Sequence, residues 1–156
     1  MRWSELADQP CSVARTLSVV GDRWTLLILR DCFLGVRRFD HFQSRLGTTR
    51  HVLSARLQRL VEAGVLHRAR YQPRPPRYEY RLTPKGLDLH SIVVSLTRWG
   101  DRWMADHRGP PLALVHTGCG TVVTPTFTCP ACHEPFNART SRVKYRHAEP
   151  PFANVK

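Results

Sequence analysis

Two groups of residues in this 156-residue chain have the types and spacings that do chemistry. The first lies toward the C-terminal end, where His116 and Cys119 stand three apart and, nine residues on, Cys129-Pro130-Ala131-Cys132 repeats the spacing. Gly118 and Gly120 can turn the first pair and Pro130 the second. An imidazole and three thiolates held as two such knuckles suit a tetrahedral zinc ion, with His133 and His147 as competing fourth donors. Four protein ligands leave no open position, so zinc here would be structural and would supply the order that a 40-residue appendage cannot draw from a core. A metal-free hairpin, reduced or disulfide-stapled, and a thiol redox pair are the other readings. Nothing around Cys129 has the βαβ pattern of a thioredoxin-like site.

The second group is cationic. Between Arg37 and Arg81 stand eleven arginines against Asp40, Glu62 and Glu79, a net +8 out of the +12 carried by the whole chain. A charge this dense points to a polyanion and away from a small-molecule pocket. Of the 24 basic residues 21 are arginine, a bias running through the whole chain and therefore compositional.

The elements that must carry these residues follow from periodicity. Val13, Leu17 and Val20 recur at helical spacing up to Gly21. Asp22 caps a second helix, from Arg23 to about Leu34, apolar on several faces and hence central. Phe39, Phe42 and Leu46 mark a short third helix broken at Gly47. Thr48-Thr49 opens a fourth, with Leu53, Leu57, Leu60 and Val61 on one stripe and Gly64 as the stop. Leu66–Tyr71 and Tyr78–Leu82 read as two strands joined by the proline-rich, arginine-tipped segment 72–77. Thr83-Pro84 starts a last helix to about Asp106, with Leu89, Val93, Leu96, Gly100 and Trp103 as a near-heptad seam that requires a partner.

Four helices, a two-stranded ribbon and a long helix make a mainly α chain with a small β wing: a winged helix-turn-helix with flanking helices and a small Cys/His hairpin appendage. We divide it into an N-terminal arm (1–10), the winged domain (11–108), a zinc-ribbon-like extension (109–146) beyond Gly109-Pro110-Pro111, with a short hairpin expected over Thr121–Phe127, and a loose tail (147–156). Projected at about 100° per residue, the fourth helix turns His51, Ala55, Gln58 and Arg59 outward, with Thr49 and Arg50 at its N-terminus. These can enter a major groove and read base edges, while Arg37, Arg38, Arg74 and Arg77 grip phosphates or the minor groove from the flanks.

The words CSVARTLSVVGDRWTLLILRD (Cys11 to Asp31), GVRRFDHFQSRLG (Gly35 to Gly47), LSARLQRLVEAGVL (Leu53 to Leu66) and YEYRLTPKG (Tyr78 to Gly86), in this order over the first two thirds of the chain, resemble the HxlR-type winged-helix transcription regulators, relatives of the MarR group. The resemblance implies a homodimeric, cytoplasmic, nucleoid-associated regulator of double-stranded DNA. Thr49–Glu62 would be its recognition helix, 66–82 its wing, and its terminal helices the dimer contact. Some such proteins sense oxidants through a cysteine at the place of Cys11, where the helix dipole and Arg15 would favour a thiolate. A packing thiol is the alternative there, and Cys32, amid Leu29, Phe33 and Leu34, reads as core.

Composition narrows the rest. No run approaches the roughly 18 apolar residues of a membrane span, and Glu5 and Asp8 sit where a secretory signal would be basic and then greasy, so we expect a cytoplasmic chain with no membrane partner. Five cysteines, an odd number, argue for a reducing compartment. No His and acid pair is set for catalysis, so the chain is read as a non-enzyme. It is a sequence-specific regulator acting on an inverted repeat, open to an oxidant or small-molecule effector, for instance in an apolar cleft near Trp24, Trp99 and Trp103. The competing classes are a basic RNA-binding or ribosome-associated zinc-ribbon protein and, behind it, a thiol oxidoreductase.

Overall fold

The computed structural model describes residues 3–144; the expected loose tail, 147–156, lies outside the described residues. The chain is mostly helical with one small antiparallel sheet, the winged helix-turn-helix architecture. The elements are α1 (Trp3–Ala7), α2 (Ser12–Val20), α3 (Arg23–Phe33), α4 (Phe39–Leu46), α5 (Arg50–Glu62), β1 (Leu66–Gln72), β2 (Arg77–Leu82), α6 (Pro84–Leu87) and α7 (His90–Met104). Two compact units divide inside α7, between Val94 and Ser95, rather than at Gly109. The reason is packing: Leu89 and Val93 lie against the core of the first unit, whereas Leu96, Trp99 and Trp103 are exposed.

The core is Val20, Ile28, Leu29, Phe42, Leu53, Leu57, Leu60, Val65 and Leu66, drawn from α2 to β1. It fixes the helix-turn-helix: α4 ends on Gly47 in the left-handed region (φ 62), and the turn delivers α5 with its leucine stripe inward. Truncating Leu57, which is fully buried, to alanine would cost about 3 kcal/mol.

Polar contacts set the angles between helices. Asp22 caps α3 by accepting from the Trp24 and Thr25 amides at 3.0 and 3.3 Å, and its carboxylate also accepts from Arg56 of α5, Nε at 2.8 Å and Nη2 at 3.2 Å. Burial alone would raise the Asp22 pKa, but the Arg56 guanidinium and the two amides outweigh it and hold the carboxyl below the usual carboxylate range. Asp31, fully buried in α3, accepts from Arg30 (Nε 3.0 Å) and from Arg45 of α4 (Nε 3.2 Å).

Behind α5, the segment Leu82 to Gly86 explains its own residue types. Thr83 Oγ1 caps α6 and donates to the Gly64 carbonyl at 2.6 Å, and Lys85 Nζ donates to the Ala63 carbonyl at 2.8 Å, where the C-terminal end of α5 carries partial negative charge. Gly86 must be glycine: a Cβ there would lie 2.2 Å from the Val65 carbonyl oxygen.

Three expectations need correction. The N-terminal arm contains a short helix, α1. The last helix is interrupted at Asp88-Leu89, where the chain bends to bring Leu89 onto the core. The extension holds two single-bridge hairpins, Val115 with Val122 and Thr128 with Pro135, each centred on a knuckle, so the hairpin expected between the knuckles is instead their connection.

Candidate nucleic-acid interface

Thr49 has extended backbone angles, and its Oγ1 accepts from the Val52 amide at 3.3 Å, which starts α5 cleanly. The amides of Arg50 and His51 have no protein acceptor among the described residues and lie at the positive end of the helix. His51 is exposed and unengaged, as placed from sequence. Gln58 is also exposed, with its amide donating to Glu62 at 2.8 Å one turn on. Ala55 is half-buried, a methyl between the longer side chains a turn to either side.

Two expected readers are partly committed elsewhere. Arg50 leans on α4, its guanidinium 4.9 Å from the Phe39 ring centroid, 3.4 Å from Gln43 Oε1 and 3.8 Å from Asp40. Arg59 sits toward the C-terminal half of α5 and donates to the Ser18 carbonyl of α2 at 3.4 Å. Ser54, three residues from His51, is exposed on the same helix and was not singled out from sequence; its spacing from His51 was the signal. The N-terminal face of α5 thus offers Thr49, His51, Ser54 and Gln58: small or polar, and free of apolar bulk.

The ribbon pairs Leu66 with Leu82, His67 with Arg81 and Arg70 with Tyr78, with an irregularity between Arg70 and Gln72. A third, one-residue strand joins it: Arg38 bridges Glu79, and the Tyr80 amide donates to the Arg37 carbonyl at 2.8 Å. That contact ties the entry of α4 to the wing and puts Arg37 and Arg38 beside it.

The structure sorts the eleven arginines of this region into two sets. Arg45, Arg56 and Arg81 are ion-paired with Asp31, Asp22 and Glu79, and Arg70 donates to the Gln72 and Pro73 carbonyls, bracing the turn. Arg37, Arg74 and Arg77 are exposed and make no hydrogen bond or ion pair among the described residues. Arg38 and Arg68 only stack, over Tyr71 at 4.6 Å and Tyr78 at 4.2 Å, which leaves their donors outward. Arg68 was not picked out from sequence, because its place over Tyr78 depends on the strand register. The uncommitted cations therefore flank α5 on the wing and its entry.

Residues 19–108 match the HxlR-like helix-turn-helix family. The chain belongs to that family. It is 48% identical over 128 residues to an HTH-type transcriptional regulator of Mycobacterium tuberculosis strain H37Rv, covering 82% of this chain and 81% of that one. The HTH-type regulator YdeP of Bacillus subtilis is 32% identical over 94 residues, 60% of this chain and 73% of its own. Among solved structures, the candidate transcription factor PA1607 superposes with a TM-score of 0.81 at 35% identity, over 90% of this chain and 98% of that one. The redox regulator HypR in its reduced form gives 0.56 at 32%, over 59% of this chain and 92% of that one. This HxlR-like chain is accordingly a helix-turn-helix transcription regulator, a family assignment that implies DNA as partner. Among its described residues no helix is long and apolar enough to cross a membrane.

The cysteines of this HxlR-like chain fall into distinct settings. Cys32 is largely buried, and desolvation, reinforced by the neighbouring Asp31 charge, pushes its thiol up to about 12, as a packing residue requires. Cys11 is half-buried at the N-cap of α2, and the Arg15 guanidinium lies 3.4 Å from Ser12 Oγ. In the extension His116 Nδ1 is 3.2 Å from Cys119 Sγ, and Thr121 Oγ1 is 3.3 Å from the same sulfur. The Thr121 hydroxyl and the His116 ring hold the Cys119 thiol down at about 7. The Cys132 and Ala131 amides, with the Cys132 thiol, likewise lower Cys129. Among the described residues no three His, Cys, Asp or Glu side chains converge into one metal-sized cluster, so the four expected donors stand as two pairs.

Proposed function

We propose that the chain is a sequence-specific regulator that binds an inverted-repeat operator in double-stranded DNA as a homodimer. The N-terminal face of α5 enters the major groove, where His51, Ser54 and Gln58 meet base edges, and the Arg50 and His51 amides meet a phosphate. Arg37, Arg38, Arg68, Arg74 and Arg77 take the backbone on either side. The observation that carries this reading is the sorting of the arginines: those around α5 that are not consumed by internal ion pairs all lie on the wing or at the entry to α4. Stacked aromatics on an open platform, which an RNA-binding reading needs, are not what this surface offers, since Tyr71 and Tyr78 are already covered by arginines.

A homodimer is supported by α7, on which Leu96, Trp99 and Trp103 are 50, 59 and 65% exposed along one seam. Large apolar groups grouped in this way call for a covering surface. A second copy would place two recognition helices about 34 Å apart, one duplex turn. Selection of bound fragments from a random duplex library tests the proposal: enrichment of an inverted repeat with half-sites one turn apart is expected, and enrichment of no motif, or of single-stranded RNA in a parallel library, would overturn it.

A further inference from the structure

The extension has a feature that its size makes costly. From Leu87 to Met104 and on through Lys144 no residue is buried, and Leu112, Val115, Val122, Phe127 and Phe136 are all exposed. A folded segment of this length without a core needs another source of order. The order it has is concentrated in two places. In the first knuckle the His116 amide donates to the Thr121 carbonyl at 2.9 Å, the Gly120 amide donates back to the His116 carbonyl at 2.8 Å, and Gly120 takes a left-handed φ of 71. In the second the Cys129 amide donates to the Glu134 carbonyl at 2.8 Å, the His133 amide to the Cys129 carbonyl at 2.9 Å, and His133 takes the left-handed φ of 60. The two turns have the same construction, and each sets a pair of soft donors at its start and on its fourth residue. For a residue other than glycine to hold that backbone conformation at the same place in the second turn, the turn itself must be needed.

The donor geometry is that of a metal site. A zinc ion with Zn–N and Zn–S bonds of about 2.0 and 2.3 Å separates a tetrahedral N and S by roughly 3.5 Å. His116 Nδ1 and Cys119 Sγ stand 3.2 Å apart, close to that edge. Backbone amides of Ala131 and Cys132 reach the Cys129 sulfur, which is how a protein stabilises a metal-bound thiolate.

We propose that His116, Cys119, Cys129 and Cys132 bind one structural zinc ion per chain, two donors from each knuckle, and that the ion replaces the missing core of the extension. Its binding closes the two loops on each other from the arrangement of separate pairs. His133 does not ligate, because its residue serves as the left-handed turn of the second knuckle.

The test uses the untagged full-length chain. Metal analysis after gentle purification should return about one zinc per chain. Exchange with cobalt(II) alone should give the intense visible bands of a tetrahedral site together with the near-ultraviolet absorption of three thiolates. Cys129→Ser and His116→Ala should each lose at least tenfold in cobalt affinity, whereas His133→Ala should bind as the unaltered chain does. Removing the metal with a chelator should increase proteolytic cutting within 109–144 severalfold. Absence of metal with four reactive or disulfide-bonded cysteines in its place, an octahedral cobalt spectrum, or loss of metal in His133→Ala with retention in His116→Ala would each overturn the proposal. Because the wild-type spectrum and stoichiometry need no variant, misfolding of a substituted extension leaves the test intact.

Discussion

The division of the arginines makes a quantitative prediction about salt. Arg74 and Arg77 sit at the wing tip without an internal acceptor, while Arg56 is bidentate on Asp22, with roughly three quarters of both side chains covered. If the first two contact phosphates, Arg74→Ala with Arg77→Ala should flatten the log–log dependence of operator affinity on salt by about 1.8, at roughly 0.9 per phosphate contact. Between about 50 and 200 mM salt the double variant should then lose about twelvefold less affinity than the unaltered protein does. Arg56→Ala should leave the slope unchanged and instead destabilise folding by about 2 kcal/mol, the loss of a charge-assisted hydrogen-bonded pair. Fluorescence anisotropy of a labelled operator duplex across that salt range, with urea denaturation of the same samples, measures both quantities. A double variant with the original slope, or an Arg56→Ala protein with a flattened slope and full stability, would refute the sorting.

Other consequences are more local. Asp22→Asn preserves an N-cap acceptor but removes the charge facing Arg56; because the folded-state pKa of Asp22 is depressed, its contribution is complete above the ordinary carboxylate range, near 3.9, and disappears as pH falls through the folded value. The variant should therefore be less stable at neutral pH and lose less stability on acidification, as read by thermal melts at stepped pH. Gly86→Ala places a methyl against the Val65 carbonyl and should cost about 2 kcal/mol in urea denaturation, more than a helical Gly→Ala change elsewhere would gain. Trp99→Glu with Trp103→Glu charges the exposed seam of α7, so sedimentation should report a monomer where the unaltered chain sediments as a dimer, with operator affinity falling in parallel.

What could be read in the sequence was local. Asp22 and Thr49 cap the helices they were expected to cap, Gly47 and Gly64 take the left-handed turns, and the leucine stripe of α5 faces inward, because each depends on a few adjacent residues. The spacing of the knuckle residues likewise fixed their turns. Hidden features were those made by chain crossing. Arg56 meets Asp22 across 34 positions and Arg45 meets Asp31 across 14, so charge counting could not separate structural from available arginines. The strand at Arg38 is one residue long and carries no alternation to detect, and the break before α7 arises from the pull of Leu89 toward the core. Arg50 and Arg59 lie on the side of α5 that a helical projection calls outward, yet α4 and α2 supply acceptors there.

The central claim, that the outward N-terminal face of α5 reads bases, is tested most directly by measuring the unaltered protein, His51→Ala and Gln58→Ala against every single-base substitution of the selected operator. Each alanine variant should lose discrimination of about 1–3 kcal/mol at one symmetric pair of positions and keep it at the others. Unchanged preference at all positions in both variants, or a uniform loss of affinity without change in preference, would contradict the account.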